Sequence, residues 1–242
     1  MTTDMSRVDT STPTCSWFSA EWNAAIAELA KHADSGPGLS DKERALLRLA
    51  VAASATTLYA PAIRAGLKQA LAHGASQQEI VEVLQLVSVI GIHACTTAVP
   101  LLLEELSHCG IAAETRSTPE RAAVLREDFI RRRGYWSERW GALLSLDPDF
   151  FEAFTEYSSI PWEQGPLSPQ MKEFVYIAMD AACTHLYASG LRLHFRNALS
   201  LGASPRQLFD VICVASTAGL FTFDLANPML AEEIQASTLA TK

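Results

Sequence analysis

Hydrophobic and polar positions along the chain follow a helical period almost throughout. In segments such as 39–53 and 167–182 the apolar residues recur three and four positions apart, which is typical of a helix with one buried face. Serines that suit N-cap positions precede several segments, and glycines that suit C-cap positions follow others. The serines are Ser40, Ser76, Ser168 and Ser204, and the glycines are Gly74 and Gly202. Almost no stretch alternates with the period of a strand, so the pattern predicts an all-α protein.

The same series of helices occurs twice. Displacing the chain by 128 positions aligns residues 19–102 with 147–230 without a gap, and about 22 of the 84 pairs are identical. The period is far longer than a solenoid unit, so we expect each copy to be a small helical domain. The last helix of each copy is expected to bend near Pro100 or Pro228, because proline removes a helical hydrogen bond.

This repeat divides the chain into five parts, with the two copies packed against each other as a pseudo-dimer. The connector is expected to hold one helix, from about Thr118 to Arg133, that ends at Gly134. The parts are an N-terminal tail (1–18), the first repeat (19–110), the connector (111–146), the second repeat (147–234) and a C-terminal tail (235–242).

Composition narrows the classes of function. The 242 residues carry a formal net charge of −8, which disfavours nucleic acid and anionic membranes as partners. Five cysteines without a C-x-x-C pair indicate neither a zinc site nor a disulfide framework, and they suit a reducing cytoplasm. The apolar stretch 83–103 is long enough to span a bilayer, but its counterpart contains Asp224, which is costly in lipid. We therefore expect both stretches to be helices buried in protein.

One position separates the two copies chemically. The segment "YASGLRLHFRNALSLGAS" has His194 where its counterpart "YAPAIRAGLKQALAHGAS" has Gly66. An imidazole transfers protons near neutral pH, although a lone histidine on an apolar face can equally be a core residue.

A helical stripe runs through this histidine. At 100° per residue, its members are Cys183, Tyr187, Gly190 and His194. Gly190 either leaves room for a ligand or allows close helix packing, and the sequence leaves both readings open. Among the remaining polar residues, we expect Asp180 to contact the connector and His185 to be a surface or capping residue.

The chain resembles the carboxymuconolactone decarboxylase family, which includes the AhpD-like alkylhydroperoxidases. The resemblance rests on the segment "HFRNALSLGAS", on the "LS" and "GAS" elements that occur in both copies, and on "DPDFFEAFTEY" with "GPLS" before the second repeat. The peroxidase branch carries C-x-x-C-x-x-x-H on this helix. Here Tyr187 and Gly190 occupy the two cysteine positions and His194 the histidine position, which argues against thiol peroxidase chemistry. Loss of both cysteines with retention of the histidine resembles the decarboxylase branch.

The resemblance implies a lyase that decarboxylates a small carboxylated lactone or related cyclic metabolite without a cofactor or metal. His194 is the expected general acid/base, and Tyr187 the donor that supports a developing oxyanion. The expected substrate-binding residues are Cys183, Gly190, His93 and Asp224, although His93 and Asp224 also suit core or interface positions. The first copy, which lacks the histidine, is expected to be a degenerate scaffold.

The family assembles as rings of small subunits, so the duplicated chain is expected to form a homotrimer that imitates a hexamer. Two alternatives stay open at this point. One is a different cofactor-free reaction on the same scaffold, such as hydrolysis, isomerisation or retro-aldol cleavage. The other is a protein that binds a ligand or an assembly partner without catalysis.

Overall fold

The computed structural model describes residues 19–240, and this part of the chain is helical with no strand. Two 3₁₀ turns, Val89–Gly91 and Thr217–Leu220, interrupt the series. The helices are α1 (Ala20–Ser35), α2 (Asp41–Ala53), α3 (Ala60–Ala72), α4 (Gln77–Ser88), α5 (Ile92–His108), α6 (Pro119–Arg133), α7 (Arg139–Leu146), α8 (Pro148–Gln164), α9 (Pro169–Ala181), α10 (Ala188–Ser200), α11 (Pro205–Ser216) and α12 (Phe221–Ala240). Helices α1 to α5 correspond to α8 to α12. The expected tail at residues 1–18 lies outside the described residues.

Helix boundaries follow the capping signals in the sequence. Ser40 and Ser76 accept hydrogen bonds from the third helical residue and form capping boxes with Glu43 and Glu79. Thr118 caps α6, which ends at Gly134 with φ of 75°, so the predicted connector helix is confirmed. The sequence did not predict α7. Helix α12 continues to Ala240, so residues 235–240 are helical and not the tail that we expected.

The two copies share one hydrophobic core. Helix α2 of the first copy packs against α9 of the second, and α4 and α11 cover this pair from both copies. The cluster is continuous across the pair and includes Leu46, Leu49, Phe174, Ile177 and Val211, all almost inaccessible to solvent. Neither copy therefore has the separate core of an independent domain. The expected pseudo-dimer of all-α repeats is confirmed.

Two buried carboxylates hold the copies together reciprocally. Glu82 of α4 accepts a hydrogen bond from the Leu167 amide at 2.7 Å and pairs with Lys172 at 2.9 Å, both in the second copy. Its counterpart Asp210 of α11 accepts from the Gly38 amide of the first copy at 2.7 Å. Each carboxylate therefore fixes the loop before the central helix of the other copy.

The last predicted helix of each copy breaks earlier than the sequence suggests. The 3₁₀ turns separate α4 from α5 and α11 from α12, whereas Pro100 and Pro228 lie inside α5 and α12. The sequence did not predict these interruptions, which come about two turns before each proline.

The two apolar stretches are only partly buried. Gln77–His108 and Pro205–Leu239 are long and apolar enough to cross a membrane by length and composition alone, and about one third of each apolar window is buried. The inner faces of α4 and α11 lie in the core, but α5 and α12 expose several large apolar side chains. These include Leu101, Leu102, Leu225, Met229 and Leu230. Within one chain, the expected burial in protein therefore holds for the inner faces of α4 and α11, whereas much of α5 and α12 is exposed.

The connector packs against both copies, and an aromatic cluster forms the contact. Phe129 of α6 is fully buried and contacts Trp136, Trp140 and Phe151. Ile92 of α5 joins the same cluster. The connector is therefore held firmly, as its tryptophans led us to expect, and it forms one wall of the site described next.

Candidate active site

A cavity of 360 Å³ lies where both copies and the connector meet. The second copy contributes α10, the first copy contributes α5, and the connector contributes α7 and the end of α6. The residues that bear on its chemistry are His93, Thr96, Arg133, Arg139, Tyr187 and His194. The cavity therefore belongs to neither copy alone.

His194 lies on α10 at the edge of this cavity, and only 7% of its surface is exposed. Its Nδ1 atom is 2.6 Å from Oε2 of Glu173, a carboxylate of α9 that is itself buried. Asn197 donates a hydrogen bond to the other carboxylate oxygen at 3.0 Å. The Tyr176 ring packs 4.7 Å from the imidazole. The histidine is therefore held by a carboxylate in a fixed orientation, as catalytic imidazoles commonly are.

The first copy shows what the fold requires at this position when no histidine is present. A Cβ atom at Gly66 would lie 3.1 Å from Cα of Leu49, so glycine allows α3 to pack closely on α2. In the second copy His194 and Glu173 replace Gly66 and Ala45. Glu173 was not predicted from the sequence, although the comparison of the two copies contains its signal, a charged residue in an apolar stripe.

Tyr187 precedes α10 as its N-cap residue and does not extend the helical stripe. A turn with Leu186 at φ of 49° separates α9 from α10, so the continuous stripe expected from Cys183 to His194 is wrong. The Tyr187 hydroxyl is 3.0 Å from Oγ1 of Thr96 and accepts a hydrogen bond from Arg139 at 3.2 Å. Cys183 is exposed and is not among the residues that line the cavity.

Three polar side chains form a cluster beneath this tyrosine. Nδ1 of His93 is 2.8 Å from Nε2 of His185, and the His93 ring stacks on Tyr187 at 3.9 Å. Asp180 places Oδ1 3.7 Å from His185 and 3.9 Å from His93. The structure thus corrects one expectation, because the His185 side chain is largely buried against Asp180 and His93 and is not a surface residue.

Burial shifts the pKa values of this cluster toward the uncharged forms. Desolvation raises the pKa of the Asp180 carboxyl to about 8. Desolvation, together with repulsion from the charged forms of His185 and His194, lowers the pKa of His93 to about 3. Desolvation also lowers the pKa of His185.

Gly190 borders both the cavity and the cluster. A Cβ atom at this position would overlap the Asp180 carboxylate and come within 2.7 Å of the Tyr187 ring. Of the two readings left open by the sequence, close packing explains the glycine, because it admits Asp180 against α10. Gly190 lines the cavity as well.

Asp224 lies in a different place from the other expected site residues. It is exposed and lines a second cavity of 600 Å³, together with Tyr59, Gly66 and Phe221. This cavity pairs α3 of the first copy with α12 of the second, so it is the counterpart of the first cavity. No histidine is among its lining residues. The structure therefore does not bring Asp224 to His194.

Arginines surround the first cavity. Arg133 is buried and donates a hydrogen bond to the Ser158 carbonyl oxygen at 3.1 Å. Arg139, Arg192 and Arg196 are exposed and also line the cavity. Four guanidinium groups around one cavity favour an anionic ligand, above all a carboxylate.

Comparison with known proteins agrees with this architecture. A model of the carboxymuconolactone decarboxylase family matches residues 20–104 and 148–222, which together exceed half of the chain. The chain belongs to this family. A crystal structure from Burkholderia xenovorans LB400 is similar over 91% of this chain and 92% of its own, with 42% sequence identity and a TM-score of 0.83. That protein is named provisionally as a gamma-carboxymuconolactone decarboxylase subunit. None of the curated proteins compared with the chain matches it.

The carboxymuconolactone decarboxylase family model matches each copy separately, so the resemblance and the duplication expected from the sequence are both confirmed. The matched ranges end before most of α12 and leave out the connector, including Arg133 and Arg139. The connector side of the cavity is therefore a feature of this chain that the family model does not describe.

Proposed function

We propose that this protein is a carboxy-lyase that removes CO₂ from a small carboxylated lactone or a related cyclic metabolite. The observation that carries the proposal is the His194–Glu173 pair at the edge of a cavity surrounded by four arginines. The family, and the provisional name of the structural relative, support decarboxylation over other uses of such a site.

Arginines draw the anionic substrate into the cavity and orient it. Arg192 and Arg196 line the same cavity as His194, so a carboxylate bound to them lies in the cavity that the imidazole borders. Apolar side chains, including Trp140, Phe154 and Met179, form the remaining wall. This wall removes water from the carboxylate that leaves, which favours the charge-dispersed transition state.

Decarboxylation breaks the bond between the carboxylate carbon and the ring, and the electron pair remains on the ring as an enolate. Tyr187 and Arg139, which contact each other, stabilise the enolate oxygen. The imidazolium of His194 then delivers its proton to the ring carbon. Glu173 accepts the Nδ1 hydrogen and stabilises the imidazolium, so the pair forms a positioned general acid.

The test is turnover of gamma-carboxymuconolactone and other carboxylated lactones, with release of CO₂ as the measurement. His194→Gln keeps an amide that donates to Glu173 but removes the titratable nitrogen. We expect turnover to fall by about 10²- to 10⁴-fold, the usual contribution of a general acid. The exposed His32→Gln is the matched control and should retain full activity.

Two results would contradict the proposal. One is a His194→Gln variant that turns over these substrates as fast as the native protein. The other is a native protein that releases no CO₂ from any carboxylated lactone while it converts one of them to a product that retains the carboxylate.

A further inference from the structure

Asp180 is a buried carboxyl group with no hydrogen-bonding partner. Its side chain is inaccessible to solvent, and neither carboxylate oxygen accepts a hydrogen bond from the described residues. Buried polar groups are nearly always satisfied, and an exception needs an explanation, of which a bound water or ion is one. Its Oδ1 atom lies 3.7 Å from Nε2 of His185 and 3.9 Å from Nδ1 of His93, and the two imidazoles also contact each other.

The three atoms have the spacing of a metal-binding site. Nδ1 of His93, Nε2 of His185 and Oδ1 of Asp180 form a triangle with sides of 2.8, 3.7 and 3.9 Å. A point about 2 Å from all three atoms lies within their plane, and this is the length of Zn–N and Zn–O bonds. Two histidines with one carboxylate are a common ligand set for first-row divalent metals.

The other half of the molecule shows that the fold itself does not need these groups. The counterparts of His93, Asp180 and His185 are Phe221, Ala52 and Thr57. The equivalent contact between the copies, where α12 meets the end of α2 and the loop that follows it, therefore forms without a carboxyl group or a histidine at these three positions. A purely structural need would apply to both junctions, so the polar cluster serves a purpose that only one junction has.

We propose that His93, Asp180 and His185 bind one divalent transition-metal ion, of the zinc class, at the junction between the two copies. His93 comes from α5 of the first copy, whereas Asp180 and His185 come from the second copy, so the ion links the copies. A three-ligand set leaves a coordination position for water or an anion. His93 and Gly190 also line the first cavity, so the ion lies beside this cavity.

Neighbouring residues support the ligands. The Tyr187 ring stacks on His93 and restricts its rotation, and the backbone amide of Tyr187 donates to the Asp180 carbonyl at 2.9 Å. Gly190 admits the Asp180 carboxylate, since any larger residue would overlap it. Such outer contacts orient metal ligands and commonly tune affinity by 10- to 100-fold.

The experiment is metal titration of the full chain after removal of metals with EDTA and dialysis. Calorimetry with Zn²⁺ measures stoichiometry and affinity, and the visible spectrum with Co²⁺ reports nitrogen and oxygen coordination. The variants carry the residues of the other junction, namely His93→Phe, Asp180→Ala and His185→Thr. His108→Thr, at an exposed histidine, is the matched control.

We expect one ion per native chain, and an affinity that falls at least 100-fold in each ligand variant but not in the control. Native protein soaked with Zn²⁺ should show anomalous scattering at the cluster, a result that does not require any variant to fold. Less than one tenth of an ion per chain, or binding that Asp180→Ala leaves unchanged, would overturn the proposal. Neither measurement uses catalysis, so the outcome is independent of the proposed decarboxylase activity.

Discussion

At the scale of single residues, Gly190 shows how a local preference is overridden. Alanine stabilises a helix interior by about 1 kcal/mol relative to glycine. At position 190, however, its Cβ atom would overlap Asp180. The counterparts of this pair are Ala52 and Ala62, two residues that coexist without difficulty.

Gly190→Ala should therefore lower the free energy of unfolding by about 1 to 3 kcal/mol, the usual cost of overpacking. Urea denaturation measures the change. The double variant Asp180→Ala/Gly190→Ala, which recreates the pair of the first copy, should recover most of the loss. A single variant as stable as the native chain would show that Asp180 moves aside without cost.

Glu173 offers a second test at this scale, which rests on the proposed function. Glu173→Gln retains a hydrogen-bonding group beside His194 but removes the charge that stabilises the imidazolium. Turnover should fall by about 10²- to 10⁴-fold with a nearly unchanged KM, because the interaction strengthens only when the histidine is charged. The exposed Glu120→Gln is the control, and equal losses in both variants would remove Glu173 from the mechanism.

The sequence revealed some of these residues and concealed others for a physical reason. His194 stands out because its counterpart is glycine, and Glu173 differs from Ala45 in the same way. The contact of His93 with His185 joins residues 92 positions apart, across the junction between copies. No local sequence pattern predicts a contact between residues so far apart in the chain, so His185 was expected to lie on the surface.

At the scale of helices, the buried Lys172–Glu82 pair is a direct ionic link between the copies. Both side chains are almost fully buried, and Lys172 also donates to the Pro161 carbonyl oxygen at 2.6 Å. Removing one member of a buried pair leaves an uncompensated charge, which costs about 3 to 5 kcal/mol.

Lys172→Met should lower the free energy of unfolding by about that amount. The control is Lys42→Met, which removes the half-exposed pair with Glu79 and should cost less than about 1 kcal/mol. Chemical denaturation of both variants checks the difference. Equal losses would mean that Glu82 finds another partner or takes up a proton at little cost.

Helix boundaries were largely predictable because caps are local signals. Ser76, Ser204 and Gly134 begin or end helices as the sequence indicates. The breaks before Ile92 and Phe221 were not predictable, because an apolar run can continue through a 3₁₀ turn without any change in composition.

At the scale of the whole molecule, the exposed apolar faces of α5 and α12 call for partners. Surfaces of this kind are uncommon on monomers and typically mark protein interfaces. We propose that they meet between chains, in a homotrimer whose six copies alternate around a ring. The proposal agrees with the expectation from the sequence, and the exposed apolar side chains of α5 and α12 support it.

Light scattering should give about three times the chain mass of 26.3 kDa. The double variant Leu102→Glu/Met229→Glu, which charges both faces, should reduce the mass to that of one chain. Val124→Glu, at an exposed apolar residue of α6, should leave the mass unchanged. A native protein that stays monomeric at micromolar concentration would refute the assembly.

The crossed construction of the two cavities limits how this chain can change. Helices of both halves line each cavity, so separating the two halves of the chain would expose the lining residues of both cavities to solvent. A substitution in α5 alters the chamber that contains the imidazole, although that imidazole is carried by the opposite half. The half that has Gly66 in place of His194 is therefore tied to the chemistry of its neighbour, so substitutions in one half constrain those that the other can accept.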